Sequence, residues 1–232
     1  MKKLFTALGV SLTLMSAVFQ TQAADKKIDH VDLVLVVDKS GSMHGMESDT
    51  IGGFNSLLDK QRKLDVTTDV TTVMFNGTQE FKHERKRLSE INDLNQNDYI
   101  PEGSTALLDS VGLTIDKVAN YYSVNNKGNK VIFAIITDGL ENSSHEYSKQ
   151  TVKRLIEDKK ELGWEFIFLG ANIDAAAEAS SIGISNDRAI QYKATNEGVR
   201  KNFDAISAFT NEAVSTEAIS ENWKEKAEQD NK

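Results

Sequence analysis

The sequence predicts an α/β fold, a mostly parallel sheet with helices packed against it, and three observations carry that prediction. Residues 31–37 (V-D-L-V-L-V-V), 130–137 (K-V-I-F-A-I-I-T) and 164–170 (W-E-F-I-F-L-G) are nearly continuous apolar runs, the pattern of strands buried on both faces. Segments with helical apolar spacing alternate with these runs, as crossover connections between parallel strands require. A Val/Thr-rich run at 66–75 ends on Asn76-Gly77, the dipeptide that most strongly marks a hairpin, so one strand is expected to return antiparallel.

The elements follow in order. After the first strand, Ile51, Phe54 and Leu58 fall at helical spacing with Leu57 beside them. The second strand is 66–75, and 78–83 is its antiparallel return. Leu108, Val111, Ile115, Val118 and Tyr122 then keep an i, i+3, i+7 rhythm over four turns. The 130–137 strand is followed by a polar helix around 148–161, and the 164–170 strand by an Ala-rich helix at 173–182. A weak edge strand is expected at 188–192 and a last helix from Thr195 to about Glu217. The charged remainder, 218–232, is expected to fray.

Composition narrows the functions. The 232 residues are 39% hydrophobic and 27% charged, with one proline and no cysteine; this is a globular composition, neither disordered nor collagenous. The absence of cysteine excludes disulfides, thiolate zinc sites, iron–sulfur clusters and cysteine nucleophiles. A formal net charge of −8 argues against nucleic acid as a partner, because phosphate neutralisation needs a positive surface. The first 23 residues have the layout of a secretory signal peptide: Lys2-Lys3, an apolar stretch over 4–19, then Thr21-Gln22-Ala23 with small residues at the first and third places. Thr6, Ser11, Thr13 and Ser16 interrupt that stretch, which is also short for a membrane span. Cleavage after Ala23 is therefore expected, giving an exported protein, periplasmic or secreted, with no stable membrane span. The remaining organisation is one α/β domain over 24–217 and a charged C-terminal tail over 218–232.

In open α/β sheets, ligands bind beyond the carboxyl ends of the strands where strand order reverses. The first buried strand is followed by Asp38-Lys39-Ser40-Gly41-Ser42-Met43, and the 130–137 strand runs into Asp138-Gly139-Leu140-Glu141-Asn142. Between them, ahead of the long helix, lies Gly103-Ser104-Thr105-Ala106-Leu107. Carboxylates and small hydroxyls without imidazole or thiolate suit a hard divalent cation: magnesium, manganese or calcium. D-x-S-x-S alone arises by chance in about one chain in twenty of this size. Its place after a buried strand, followed in order by a Thr loop and an Asp-Gly turn, makes it informative.

These stretches resemble the von Willebrand factor type A domain family, whose metal-ion-dependent adhesion site reads D-x-S-x-S, then a distant Thr, then a distant Asp. Asp38, Ser40, Ser42, Thr105 and Asp138 match that pattern without departure, and the resemblance runs from about residue 30 to 209. It is nearest to bacterial single-domain members carrying D-x-S-G-S-M, G-S-T-A-L-L-D and T-D-G-x-E-N stretches. The resemblance implies a doubly wound, Rossmann-like sheet of six strands in the order 3-2-1-4-5-6, with one antiparallel edge strand and helices on both faces. It also implies a divalent cation, with Mg2+ the first choice and Mn2+ or Ca2+ the alternatives. The two serines would bind it directly, and the threonine and aspartates directly or through water. At most two negative charges would face the ion, which leaves it electrophilic and open to an Asp or Glu carboxylate of a partner protein. The implied function is binding rather than catalysis.

Other readings compete. An aspartate at the end of the first strand of a doubly wound sheet is where aspartyl-phosphate hydrolases keep their nucleophile, but those enzymes use D-x-D, and Ser40 cannot supply the second acid/base. An envelope scaffold or assembly factor with a purely structural metal is the third reading. Thr105 is also a candidate N-cap for the long helix. Glu141 and Asn142 read either as a rim to the site or as solvated loop residues, and Asp49 as a helix-start acid. His30, His44, His83 and His145 show no ligand spacing and read as surface or loop residues, His44 lying nearest the metal loop. The basic run 82–87 (K-H-E-R-K-R) reads as a charged edge strand that resists edge pairing.

Overall fold

The computed structural model describes residues 28–121, 129–215 and 219–228; the expected leader, Tyr122 and the expected last-helix end at Glu217 lie outside the described residues. Six strands form one sheet: β1 (His30–Asp38), β2 (Thr67–Phe75), β3 (Gln79–Arg87), β4 (Asn129–Thr137), β5 (Glu165–Ala171) and β6 (Ala189–Tyr192). Their order is β3-β2-β1-β4-β5-β6. Every neighbouring pair is parallel except β2 and β3. The expected six-strand order and single antiparallel edge strand are both present.

The strand runs are apolar throughout because both faces are covered. Val31, Leu33, Leu35 and Val37 of β1 pack into a core on one face with Ile51, Phe54, Leu57 and Leu58 of α1 (Glu47–Gln61) and Val199, Phe203 and Ile206 of α5 (Asn196–Ser215). Val34 and Val36 join the opposite core. It is closed by Leu108, Val111 and Ile115 of α2 (Leu107–Ala119), Val152 and Ile156 of α3 (Lys149–Glu161), and Ala175 and Ala179 of α4 (Ala175–Ser181). β4 repeats the division, with Ile132, Ala134 and Ile136 on one side and Val131, Phe133 and Ile135 on the other. β1 and β4 are adjacent and in register from His30↔Asn129 to Val37↔Ile136. Their carboxyl ends therefore open side by side, at the point where chain order reverses.

Two local expectations are revised. The β2–β3 hairpin forms, but as a three-residue loop, with Phe75 opposite Gln79. Neither Asn76 nor Gly77 adopts the positive φ of a two-residue I′ turn. Asn76 instead closes an Asx turn, its Oδ1 accepting from the Thr78 backbone N–H at 3.0 Å. The return strand also extends to Arg87, with register irregularities opposite Val70, Thr72 and Val73. Its basic run is largely spent on ion pairs: Arg85 Nε donates to Asp32 at 2.9 Å, Arg87 Nε lies 3.2 Å from Asp69, and Lys82 pairs with Asp98. That edge is charged, bulged and internally neutralised, all features that oppose pairing with another strand.

The second revision concerns the charged C-terminal end, whose expected fraying does not apply to residues 222–228. Trp223 is 2% exposed and Ala227 is 3% exposed, both part of the α1–α5 core. The Trp223 indole meets the Phe209 ring edge-on at 5.0 Å. A hydrophobic anchor among polar residues has decided the local outcome, because one buried indole offsets the ordering of several residues. Trp223→Ala is expected to cost about 3 kcal/mol of unfolding free energy, measured by guanidinium denaturation. A loss below about 1 kcal/mol would mean that this end is detached in solution.

Candidate metal centre

The first site loop is set by the end of β1. Lys39 N–H donates to the Phe75 carbonyl at 2.6 Å, which holds the chain to β2 one residue beyond the strand. Asp38 is fully buried. Its Oδ1 accepts from the Ser40 N–H at 2.7 Å and its Oδ2 from the Thr137 hydroxyl at 2.6 Å. The Tyr99 hydroxyl donates to the Asp38 main-chain carbonyl at 2.5 Å. The chain then makes a 3-10 turn, Gly41–Met43, in which Met43 plugs into the core and leaves Ser42 at the surface. Ser40 Oγ and Ser42 Oγ lie 3.1 Å apart, and Ser42 Oγ donates to Asp138 Oδ1 at 2.6 Å.

The second loop is drawn in by backbone contacts. Glu102 N–H donates to the Lys39 carbonyl at 2.8 Å, and Gly41 N–H to the Gly103 carbonyl at 3.0 Å. Gly103 has φ +76°, a conformation that glycine enters without steric penalty. Thr105 faces Gly139 on the third loop: a Cβ there would stand 3.4 Å from Thr105 Oγ1 and 3.5 Å from Ser42 Oγ. The Thr105 and Ser42 hydroxyls therefore both lie against the turn that carries Asp138. Ser40, Ser42 and Asp138 are in direct contact; Asp38 joins them through the Ser40 N–H and Thr137, and Thr105 across Gly139.

The electrostatics fit a cation. Burial pushes the Asp38 carboxyl up to about 6, against hydrogen bonds from Thr137 and Ser40, and the Asp138 charge adds to the rise. Burial also raises Asp138, opposed by the Ser42 hydroxyl. Among the described residues neither carboxylate has a cationic partner; Lys39, the nearest in sequence, is turned to Glu80 at 2.7 Å. Two buried like charges with only neutral hydroxyls around them form a site that a small hard cation would stabilise. The donor set is all oxygen and fits magnesium, manganese or calcium.

The residues that hold these loops have roles that the sequence reading did not assign. Asn142 grips the second loop at both ends of one residue: its Oδ1 accepts from the Thr105 N–H at 2.9 Å, and its N–H donates to the Thr105 carbonyl at 3.1 Å. Thr105 is therefore not the helix cap. The first free N–H groups of α2, on Leu108 and Asp109, are taken by Glu141 Oε2 at 2.8 Å and Ser144 Oγ at 3.0 Å. Burial pushes Glu141 up, but donors from Ser144, Leu108 and Ser143 outweigh it and hold the carboxyl below its usual value. Asp109 answers in the other direction, accepting from the N–H groups of His145, Glu146 and Tyr147. Asn76 braces the same loop from the hairpin, donating to the Glu102 carbonyl and accepting from the Ala106 N–H. Only the Glu141-Asn142 pair, close behind Asp138, carried a sequence signal.

Residues set aside earlier also find their places. Asp49 pairs with Arg200 at 2.8 Å, tying α1 to α5, and His44 pairs with Glu47. His83 is buried, not a surface residue, and stacks on Phe54. His30, Asp32 and Asp69 place ligand-type atoms within 4.8 Å of one another. They lie at the amino ends of β1 and β2, about 20 Å along the strand from Asp38. Arg85 and Arg87 already neutralise both carboxylates, so this cluster is an ion-pair network without an unmet charge.

Two outcomes follow from this geometry. Because the folded-state acidity of Asp38 is weakened from 3.8 to about 6, the ionised form costs the metal-free fold about 3 kcal/mol above pH 6. That cost is relieved as pH falls from 6 toward 3.8. Asp38→Asn should therefore raise the melting temperature in chelator at pH 7.5 and leave it little changed at pH 4, read by thermal denaturation. Asn142→Ala should weaken divalent-ion affinity about tenfold, the typical cost of losing a group that orients a ligand, read by titration calorimetry.

No protein-family model matches the chain, and no curated protein is significantly similar to it. Solved structures do match. The vWF domain of the type V pili tip protein Mfa5 from Porphyromonas gingivalis superposes with a TM-score of 0.59 at 10% identity, over 84% of this chain and 99% of that one. Proximal thread matrix protein 1 from the mussel byssus, with its metal-ion-dependent adhesion site occupied by zinc, gives 0.54 at 15% identity over 78% of this chain and 45% of that one. This chain therefore spans less than half of the mussel protein. The manganese-loaded TRAP protein of Plasmodium vivax gives 0.52 at 20% identity, over 75% and 72%. With the strand order and the crevice between β1 and β4, these likenesses establish that the chain adopts the von Willebrand factor type A fold.

Proposed function

We propose that this protein is a metal-dependent binding module. Asp38, Ser40, Ser42, Thr105 and Asp138 would hold a divalent cation, with Mg2+ the first choice and Mn2+ or Ca2+ the alternatives. The ion would capture an Asp or Glu carboxylate of a partner protein. The observation that carries this reading is the pair of buried carboxylates, Asp38 and Asp138, at the neighbouring ends of adjacent strands, bonded to hydroxyls and without a cationic side chain among the described residues. A net charge of −8 repels an acidic partner over most of the surface, so the ion would reverse the sign where contact is made. Chelation should then abolish binding. The zinc and manganese in two structures of this fold agree with an occupied site. No helix among the described residues is long and apolar enough to cross a membrane; the exported, periplasmic or secreted placement rests on the leader sequence.

The hydrolase alternative is disfavoured by two details. Asp38 has both carboxylate oxygens engaged, by Ser40 N–H and Thr137 Oγ1, so it is pinned rather than poised to attack. Ser40 occupies the place where a second acid would transfer the proton. A structural ion in a scaffold protein would use the same ligands without binding a carboxylate.

Titration calorimetry of the metal-stripped protein with Mg2+, Mn2+ and Ca2+, beside Asp38→Ala, tests the reading. One-site binding in the wild type and its loss in the variant is the expected result. A wild type that takes up none of the three ions would overturn it.

A further inference from the structure

Among the described residues, three large apolar side chains stand out in solvent: Ile100 at 59% exposure, Leu140 at 55% and Leu162 at 71%. Leu162 caps the far end of α3. The other two belong to the loops that carry the candidate ligands. Leu140 is two residues past Asp138, between Gly139 and the anchored Glu141. Ile100 follows Tyr99, whose hydroxyl holds the Asp38 carbonyl, and precedes Glu102, whose N–H holds Lys39. Single exposed apolar residues are ordinary on a protein surface; two of three on the loops of one small site are a pattern.

Both stand on fixed stretches of chain. Ile100 lies between Tyr99, packed in the α1–α5 core, and the buried Pro101. Leu140 directly precedes Glu141, which is fastened to the start of α2. The charges nearby argue against a strongly acidic ligand. Glu102 is exposed on the same loop as Ile100, and Glu47 accepts from Gly45 N–H close to the first loop. A run of acids on the partner would meet these carboxylates, and the ion can compensate only the one it binds.

We propose that the partner offers a single Asp or Glu flanked by large apolar side chains, which seat on Ile100 and Leu140 while the carboxylate completes the ion. This deepens the metal-dependent binding reading and rests on it. Ile100 and Leu140 are specificity residues: they touch the ligand's neighbours and leave the metal ligands alone.

The test uses the full mature chain loaded with Mg2+ and three blocked pentapeptides, each with a central Glu flanked on both sides by Leu, Ser or Asp. Affinity is read from amide chemical-shift titration, with and without chelator. The expected result is magnesium-dependent binding in the order Leu, Ser, Asp, with Leu ahead of Ser by about tenfold, the worth of covering two half-exposed side chains. Ile100→Ser/Leu140→Ser should erase the Leu-over-Ser preference while keeping the magnesium affinity and the weaker Ser-flanked binding. Equal binding of Leu- and Ser-flanked peptides to the wild type would overturn the flanking proposal and leave the carboxylate reading standing. Magnesium uptake with no binding of any peptide would overturn both.

Discussion

The fold converges on one unfavourable condition: two carboxylates, Asp38 and Asp138, held out of water at the same end of the sheet. Parallel register between β1 and β4 delivers Asp38 and Asp138 to the same end of the sheet. Neither can withdraw, because Asp38 is fixed by Ser40 and Thr137 and Asp138 by Ser42. Without a bound cation that desolvation is a standing cost, and it raises the pKa of both groups. Everything around the site is arranged to bear it. The strands β1, β4 and β5, with apolar residues on both faces, supply the burial, and the loops are stitched to each other instead of left to solvent.

That stitching divides the site into the five candidate ligands and the groups that hold them. The second class is the larger. Asn142, Glu141 and Ser144 bind the third loop to the second and to α2, and Asp109 returns three hydrogen bonds. Asn76 does the same from the hairpin. A hydroxyl such as Thr105 Oγ1 can serve a cation site only when its backbone is closely fixed, and these residues fix it.

What was legible in the sequence followed the range of the forces involved. The β1, β4 and β5 runs and the helical rhythm of α2 are local patterns; they placed the strands and the start of α2 to within one residue, while the rhythm read to Tyr122 overran the helix end at Ala119. D-x-S-x-S, Thr105 and Asp138 were readable because one strand end and two turns carry them in order. The hairpin was readable, but its turn was not, because Asn76 is recruited by Glu102 and Ala106, which lie far along the chain. The burial of Trp223 was hidden for a similar reason: a charged segment with one indole gives no period, and its partner Phe209 sits on a separate helix. The His30–Asp32–Asp69 grouping could not be seen either, since parallel pairing of β1 with β2 creates it.

The position of the site in the sheet has a mechanical consequence. The strands that end in Asp38 and Asp138 are the two central ones, each hydrogen-bonded on both sides, while the charged β3 and the four-residue β6 form the edges. Tension applied at this crevice enters the protein along β1 and β4 together. To yield, a central strand must shear many backbone hydrogen bonds at once; an edge strand can be peeled one bond at a time. A tether fastened at this point is backed by the part of the sheet that resists pulling best.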